Sequence, residues 1–272
     1  MTDKKTISCI IPTCDRNDLL VESLHSVLNQ TVKPDEIIIV NNGKTKILLT
    51  KDISENCKIF EIMPYAGVAQ ARNFGVVNSS GDFLAFLDDD DLWSEKYIEN
   101  IQKVINNTET KCVISRMDKM EKNNVTLLKN PHGQISIDNI LVRNPGCGGP
   151  NVVIERDLFF EVGGYDPKLP PSEDKSLILE VLLKGVEVTT LPKNNIYVRI
   201  HDDERLTDFE RLNEGIYQFT RKYRKLMSYE QYIFNVRKRM LNSYRSGSIL
   251  SGIKYFFVTS YIKIYKLLRE IF

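Results

Sequence analysis

Residues that build metal ribbons and disulfide frameworks are scarce in this sequence. Its 272 residues include five cysteines, three histidines and one tryptophan. The cysteines, at positions 9, 14, 57, 112 and 147, are odd in number and contain no C-x-x-C pair. Such scattered cysteines argue against a zinc ribbon and a disulfide network, and they favour a reducing, cytoplasmic setting.

Internal repeats and low-complexity stretches are also missing. Residues 1–6 are polar and lead directly into a strand-like segment, so we expect no signal peptide. The hydrophobic share of 42% and the charged share of 27% are ordinary for a globular protein. A length of 272 residues suits one large α/β domain, with or without an appendage.

Charge is unevenly distributed along the chain. Residues 205–272 contain 14 Lys and Arg against 5 Asp and Glu, a net charge of +9. Residues 1–204 contain 23 Lys and Arg against 31 Asp and Glu, a net charge of −8. An acidic body with a basic tail indicates that the tail faces something anionic, and solvated helix surfaces are the alternative.

The last part of the tail, residues 249–272, is rich in aromatic and aliphatic side chains interrupted by Lys254, Lys263, Lys266 and Arg269. The apolar stretch between Lys254 and Lys263 is too short to span a bilayer. The pattern is typical of an amphipathic helix at an anionic lipid surface. A helical bundle or a dimer interface is the alternative. The apolar character of the tail favours lipid or protein contact over nucleic acid.

Strands and helices alternate through the first half of the chain, which predicts a parallel-type sheet covered by helices. Beyond residue 111 the pattern loosens, and from residue 207 onward only helices are predicted. The predicted strands span residues 7–11, 36–40, 58–62, 83–87, 112–115, 151–154, 186–191 and 196–200. The predicted helices before the tail span residues 17–30, 67–77, 94–105 (with Ser94 as N-cap) and 172–183.

Four consecutive carboxylates, Asp88 to Asp91, follow the apolar strand that ends at Leu87. Adjacent ionised carboxylates repel one another, so a cation or solvent has to compensate them. Hard oxygen ligands suit Mg²⁺ or Mn²⁺, which commonly bridge protein carboxylates and substrate phosphates. Open α/β sheets bind ligands at the carboxyl ends of their strands, where this cluster lies. A solvated acidic turn is the alternative.

Other polar or glycine-rich segments follow strands of the same predicted sheet. Residues 12–16 and 41–43 form turns after the first two strands, and each is ordinary turn chemistry when taken alone. Residues 67–75 begin a helix with small side chains and Arg72, which could reach a phosphate. For the glycine-rich residues 146–150, either a plain loop or a backbone surface open to a sugar is expected.

In their order along the chain, these segments resemble the motifs of glycosyltransferase family 2, a large group of inverting enzymes with the GT-A fold. The resemblance covers about residues 6–204 and depends on the ordered set, since each motif alone is weak. The matching segments are residues 8–13 (the opening strand), 67–75 (the G-x-x-x-A-R-N-x-G helix), 86–91 (F-L-D-x-D-D, with the D-x-D metal motif), 163–166 (the G-G-[FY]-D acceptor-side turn) and 173–174 (the E-D pair that supplies the base).

One segment departs from the family. The second strand usually ends in an Asp-Asp-Gly-Ser-like turn, whose carboxylate receives a hydrogen bond from the nucleotide base. Here the sequence is Asn41-Asn42-Gly43-Lys44. An amide accepts the same bond and can also donate one, so the departure concerns the contact to the base.

The resemblance implies a nucleotide-sugar donor, most often a UDP-sugar, and a bound Mn²⁺ or Mg²⁺. Asp90 would be the main protein ligand of the ion, and His201 would join the metal or phosphate site. Asp88 would bind the ribose or assist the metal. The other implied donor-binding residues are Pro12, Thr13, Asp15 and Asn42 around the nucleoside, Arg72 at the leaving diphosphate, and Asp89 within the acidic cluster.

Asp174 is the candidate general base. It follows a proline-containing loop and would lie in the first turn of a helix, where the helix dipole would keep its carboxylate ionised. It would take the proton from an acceptor hydroxyl as the oxygen attacks the anomeric carbon. A single displacement of this kind inverts the anomeric configuration. Plain acidity at a helix N-terminus is the alternative for Glu173 and Asp174.

These predictions combine into an α/β protein with a GT-A, Rossmann-like mixed sheet flanked by helices in residues 1–203 and a helical, basic extension in residues 204–272. We expect transfer of a hexose or hexosamine to a hydroxyl of a glycan or lipid-linked oligosaccharide in surface-polysaccharide biosynthesis. We expect a cytoplasmic protein, peripheral on the inner face of the cell membrane. A sugar nucleotidyltransferase, or a non-catalytic protein that binds nucleotide-sugars, is the alternative.

Overall fold

The protein is described here by a computed structural model that covers residues 4–121, 124–126, 135–200 and 209–271. Within these ranges, the strands are β1 (Ile7–Thr13), β2 (Glu36–Asn41), β3 (Lys58–Glu61), β4 (Phe83–Phe86), β5 (Leu92–Trp93), β6 (Cys112–Glu121), β7 (Asn124–Thr126), β8 (Val152–Glu155) and β9 (Thr189–Arg199). The helices are α1 (Asn17–Leu28), α2 (Lys51–Ser54), α3 (Val68–Val77), α4 (Tyr97–Asn107), α5 (Ile137–Val142), α6 (Arg156–Glu161), α7 (Glu173–Leu183), α8 (Phe209–Lys222), α9 (Tyr229–Arg245) and α10 (Ile249–Ile271).

The strands in these ranges form one mixed sheet in the order β3-β2-β1-β4-β8-β6-β9-β5, with β7 paired to β6. β1 is parallel to β2 and β4, and β2 is parallel to β3. β8 is antiparallel to both of its neighbours, β4 and β6. The carboxyl ends of β1, β2 and β4 therefore meet at one edge, and the predicted GT-A sheet flanked by helices is confirmed.

The core lies on both faces of the sheet. All seven residues of β1 are buried, and because side chains alternate along a strand, they contribute to both faces. Ile10 packs with one cluster, whereas Ile7 and Ile11 pack with the other. At Gly75 of α3, an added Cβ would lie 2.5 Å from a methyl carbon of Ile10. Glycine at that position lets α3 approach β1 closely, which sets the position of the residues earlier in α3.

Two local predictions are wrong. The helix predicted from Ser94 begins at Tyr97, with Lys96 as its N-cap. The carbonyl of Ser94 instead accepts hydrogen bonds from the Gln30 side chain (2.8 Å) and from the Tyr97 N–H (2.9 Å). The two strands predicted over residues 186–200 are one strand, β9, which stays paired with β6 across an irregularity in register. The break in the hydrophobic pattern between residues 191 and 196 therefore corresponds to an irregularity within β9 and not to a turn between two strands.

The tail is helical from residue 209, as predicted, and its helices contact the rest of the chain. The Tyr223 hydroxyl, just after α8, donates to Glu180 of α7 at 2.7 Å and also bonds Ser176. The Asn235 side chain of α9 donates to the Leu141 carbonyl of α5 at 2.8 Å. Through the ranges that the structure covers, no helix combines the length and apolarity needed to cross a bilayer. The predicted boundary at residues 203–204 lies outside the described residues and stays a prediction.

Candidate active site

The acidic cluster lies directly beyond β4, at the edge where the parallel strands end. Asp88, Asp90 and Asp91 each offer a carboxylate oxygen, and these oxygens lie within 4.8 Å of one another. Burial, with repulsion from Asp88 and Asp90, raises the pKa of Asp91 well above its usual value. A divalent cation would relieve this repulsion, and an all-oxygen donor set suits Mg²⁺ or Mn²⁺. The residues present therefore fit such an ion.

Asp89 is buried and turned toward β1. It accepts a hydrogen bond from the Thr13 hydroxyl at 2.7 Å. The guanidinium of Arg16 binds Asp89 and also Asp90, the latter at 2.8 Å. Burial raises the pKa of Asp89 to about 6, although Arg16 opposes the shift. Asp89 thus ties the end of β1 to the cluster, and its predicted contact with the donor stays a prediction.

Arg72 joins the acidic cluster to the candidate base. Its side chain is only 3% exposed, and its Nη2 lies 2.5 Å from Oδ1 of Asp88. Its Nη1 lies 3.1 Å from Oδ1 of Asp174 and 3.9 Å from Oε1 of Glu173. The structure shows a buried guanidinium that pairs with carboxylates on two different elements. The predicted contact of Arg72 with a phosphate stays a prediction.

The surroundings of Arg72 hold it in that position. Its guanidinium carbon lies 5.1 Å from the ring centroid of the buried Tyr165. A Cβ added to Gly149 would lie 1.7 Å from Nη2 of Arg72. The backbone of the buried turn at Gly149–Asn151 therefore packs closely against the Arg72 guanidinium. The Asn73 side chain donates to the Tyr165 carbonyl (2.7 Å) and accepts from the Tyr165 N–H (3.0 Å). Helix α3, which contains Arg72 and Asn73, therefore packs directly against the turn at residues 163–166.

Asp174 lies in the first turn of α7, as predicted. Its side chain is 22% exposed, whereas that of Glu173 is 5% exposed, so Asp174 is the more accessible of the pair. Burial raises the pKa of Asp174 to about 7; Glu173 and Asp88 contribute to this shift, and Arg72 opposes it. Burial thus acts against the ionised form of this carboxylate, and the expected effect of the helix dipole stays a prediction. A carboxyl group poised near neutral pH suits a general base.

A shallow, open depression lies beyond the ends of β1 and β2, next to Thr13 and Asp15. Asp15 shapes its wall, because its carboxylate accepts hydrogen bonds from the N–H groups of Lys44 (2.9 Å) and Thr45 (2.7 Å) and from the Tyr65 hydroxyl (3.0 Å). These bonds lower the pKa of Asp15. The carboxylate therefore orders the loop after β2.

The two asparagines at the end of β2 face different directions. Asn41 lines the depression, and its side chain donates to the Thr45 carbonyl at 2.9 Å. The side-chain oxygen of Asn42 accepts a hydrogen bond from the Gly67 N–H at 3.2 Å, just before α3. Pro12 is buried within β1. Sequence reasoning selected Asn42, which lies just after β2, and overlooked Asn41, the last residue of the strand. Donor contacts by Pro12 and Asn42 stay predictions.

Two arginines near the cluster were overlooked. Arg16 lies three residues after β1, in the turn that the sequence analysis singled out, and that position was the signal available in the sequence. Arg199 ends β9, and its backbone N–H donates to Asp91 at 3.0 Å while its side chain donates to the Asp90 carbonyl at 3.1 Å. The pairing of β9 with β5 and β6 brings Arg199 there. His201, two residues further on, lies outside the described residues.

The site as a whole has three regions: a depression beyond β2, a carboxylate cluster beyond β4, and a base candidate at the start of α7.

The family model described as Glycosyl transferase family 2 matches residues 8–162, more than half of the chain. The chain therefore belongs to glycosyltransferase family 2, and its fold is the GT-A fold. The resemblance stated from the sequence motifs is confirmed.

Two bacterial relatives illustrate the similarity in sequence. An uncharacterized glycosyltransferase of Haemophilus influenzae is 30% identical over 182 residues, which cover 65% of this chain and 62% of that protein. TuaG of Bacillus subtilis, whose name places it in teichuronic acid biosynthesis, is 28% identical over 191 residues, covering 67% of this chain and 74% of that protein. The chain spans less than two thirds of the length of the first relatives it matches.

Two solved structures illustrate the similarity in fold. TarS residues 1–349 of S. aureus in complex with UDP-GlcNAc superimpose with a TM-score of 0.64 at 16% identity, covering 90% of this chain and 73% of that one. GalNAc-T7 with UDP, GalNAc and Mn²⁺ superimposes with a TM-score of 0.61 at 18% identity, covering 88% and 55%. At such identities the likeness establishes the fold alone.

Proposed function

We propose that this chain is a metal-dependent, inverting glycosyltransferase that transfers a hexose or hexosamine from a UDP-sugar to a hydroxyl group of a glycan. The observation that carries the proposal is the bridge that Arg72 forms between Asp88 and Asp174. Because both carboxylates contact one planar guanidinium, a donor at the acidic cluster and a hydroxyl at Asp174 would be held next to each other.

The donor would lie along the sheet edge. The depression lined by Asn41 and Thr13 would take the nucleoside, because amide and hydroxyl groups there can hydrogen-bond a base or ribose. The carboxylates beyond β4 would then lie next to the diphosphate. Two structures of the same fold, solved with UDP-GlcNAc and with UDP and Mn²⁺, support a uridine nucleotide as the donor's carrier.

Asp88, Asp90 and Asp91 would hold the divalent ion, with His201 as a further proposed ligand. When bound, Mn²⁺ or Mg²⁺ neutralises negative charge on the leaving nucleoside diphosphate. Arg16 already pairs with Asp90, and Arg72 with Asp88. Both guanidinium groups would hold these carboxylates in place at the end of β4.

Asp174 would accept the proton of the acceptor hydroxyl while its oxygen attacks the anomeric carbon and the bond to the diphosphate breaks. One base and no covalent sugar intermediate give inversion. Arg72 would hold the Asp174 carboxylate in place through the step, since the two are ion-paired at 3.1 Å. The backbone of Gly149 lowers the pKa of the same carboxylate and would help to hold it.

The proposed acceptor is a cell-surface glycan or lipid-linked oligosaccharide, which the similarity to TuaG supports. We further propose that α10 contacts the inner face of the cell membrane. Its Leu250, Phe256 and Phe257 side chains are 63%, 66% and 66% exposed, and Lys254 lies between them in sequence. Wild-type protein should co-sediment with anionic vesicles and the Phe256→Ser/Phe257→Ser variant should not. Failure of the wild type to co-sediment would contradict membrane contact.

The transferase proposal is tested by slow donor hydrolysis across UDP-, GDP- and dTDP-sugars with Mn²⁺. We expect one donor to be hydrolysed, with activity lost in EDTA and in Asp90→Ala. Asp157→Ala, an exposed acid on α6, should behave as wild type and serves as the matched control. Asp174→Asn should bind UDP normally in calorimetry while transfer is lost. Absence of binding to every free nucleotide would contradict the proposal.

A further inference from the structure

We propose that Arg16 is an exchangeable cation of the candidate site. It holds Asp90 until a divalent ion binds there, and it then binds the diphosphate of the donor through the nitrogen that this exchange frees. The inference rests on the proposed transferase function and gives a role to a residue that lies between two regions of the site. Arg16 is the N-cap of α1, and its side chain is 35% exposed.

The guanidinium of Arg16 holds two different carboxylates. Its Nη2 binds Asp89, which is buried and also accepts a hydrogen bond from the Thr13 hydroxyl at 2.7 Å. Its Nη1 lies 2.8 Å from Oδ2 of Asp90, whose side chain is 19% exposed. The contact with Asp89 is therefore anchored in the protein interior. The contact with Asp90 lies at the edge of the site and can open while the first one stays in place.

The ion and Arg16 need the same carboxylate. Asp90 is one of the three acids, with Asp88 and Asp91, whose oxygens lie within 4.8 Å of one another and fit a divalent cation. A cation on Asp90 would lie a few ångströms from the Arg16 guanidinium, and charges of the same sign repel at that distance. Binding of the ion should therefore weaken the Arg16–Asp90 pair, and by linkage the pair should weaken binding of the ion.

Arg16 is better placed to move than Arg72, the other arginine that binds an acid of this cluster through its guanidinium. Arg72 pairs with Asp88, and its side chain is only 3% exposed. The Gly149 backbone and the Tyr165 ring pack against the Arg72 guanidinium. The side chain of Arg16, by contrast, is in contact with solvent and can turn. Of these two arginines, Arg16 is therefore the one that an ion can displace.

The backbone that carries Asp90 is held by other bonds, so the exchange need involve only side chains. Arg199 donates from Nε to the Asp90 carbonyl at 3.1 Å. The Asp91 N–H donates to the Asp88 carbonyl at 3.1 Å, which closes the turn after β4. Loss of the Arg16 contact would therefore leave the three carboxylates at the end of β4, where they can bind the ion.

Arg16 lies between the region proposed for the nucleoside and the region proposed for the ion. It lines the depression beyond β1 and β2 together with Thr13 and Asn41. Its guanidinium also reaches Asp90 in the carboxylate cluster. A nucleoside diphosphate that joins these two regions would pass Arg16 with its phosphates, and guanidinium groups form strong, charge-assisted hydrogen bonds with phosphate oxygens. The nitrogen freed from Asp90 would therefore gain a phosphate oxygen as its new partner.

The test is calorimetry with Mn²⁺ alone, with UDP in excess Mn²⁺, and with uridine. Arg16→Met removes the charge and keeps an apolar stem, and Lys33→Met, at an exposed lysine before β2, controls for the loss of one positive charge. Arg16→Met should bind Mn²⁺ alone about fivefold more tightly, because a partly exposed ion pair no longer competes. It should bind UDP in excess Mn²⁺ about tenfold more weakly, because a charge-assisted bond to phosphate is lost. Its affinity for uridine should not change.

The opposite signs separate an exchange from a purely structural role, which would weaken binding of Mn²⁺, UDP and uridine together. Weaker or unchanged binding of Mn²⁺ by Arg16→Met, unchanged binding of UDP, or an equal loss for uridine would each overturn the inference. If thermal unfolding shows that Arg16→Met is not folded, Arg16→Gln, which keeps a hydrogen-bond donor for Asp89, replaces it with the same expected signs. If neither wild type nor variant binds Mn²⁺, the metal-dependent function fails as well. If both bind it equally, the inference alone fails.

Discussion

Alanine at Gly149 should disrupt the link between the donor carboxylates and the candidate base. A Cβ at this position would lie 1.7 Å from Nη2 and 2.3 Å from Cζ of Arg72, far inside van der Waals contact. Arg72 is buried against Tyr165. Its guanidinium therefore cannot make room without moving away from Asp88 and Asp174.

The expected loss follows from the size of that movement. Ordinary carbon contacts lie at about 3.5–4.0 Å, so relieving the clash requires a shift well above 1 Å. A misplacement of about 1 Å can cost on the order of 100-fold in rate. We therefore expect kcat to fall by about 100-fold or more. Overpacking costs roughly 1–3 kcal/mol, which a domain of ordinary stability, about 5–15 kcal/mol, survives folded.

The assay is transfer or donor hydrolysis, with thermal unfolding measured alongside. Gly148→Ala is the matched control, because its Cβ would lie 3.1 Å from the sulfur of Met117, a flexible side chain. This control should keep kcat close to that of wild type. A double-mutant cycle with Arg72→Ala should show strong non-additivity, since both changes disturb the same guanidinium. Wild-type kcat in Gly149→Ala, or additive losses in the cycle, would refute the reasoning.

Three further predictions concern the metal, the base and the tail. Asp90→Asn should weaken Mn²⁺ binding in calorimetry about tenfold or more, and unchanged affinity would contradict its role as a ligand. The rate of transfer should increase as pH rises through about 7, because burial raises the pKa of Asp174 to that value and only the ionised form accepts a proton. A flat profile of kcat against pH in this range would contradict the role of Asp174 as the base. Tyr223→Phe removes the hydroxyl bonded to Ser176 and Glu180, and the unfolding free energy in a urea titration should fall by about 1–2 kcal/mol. No change in that titration would mean that these bonds contribute nothing net.

The parallel half of the sheet was predictable because its signals are local. The apolar runs at β1, β2 and β4 are short, continuous and followed by polar turns, which is typical of strands buried on both faces. The antiparallel half was less predictable. β9 crosses a bulge, and β5 has only two residues, so hydrophobic pattern alone divided one strand and missed the other.

The sequence allowed several residues of the candidate site to be predicted. Asp88, Asp90, Arg72 and Asp174 stand in recognisable motifs, and the structure brings them together. Arg199 gave no such signal, because its place beside the cluster depends on a strand pairing over about a hundred residues. The roles of these residues in catalysis stay predictions.

The sequence by itself determined the family, the strand and helix alternation, and the placement of carboxylates at strand ends, because periodicity and turn chemistry act over a few residues. Only the tertiary structure decided the environment of each charge. Arg72 and Asp174 are 102 positions apart in the chain, yet they share one ion pair. Burial and pairing of charge depend on which distant segments pack together, and they turned Asp89 inward and raised the pKa of Asp174.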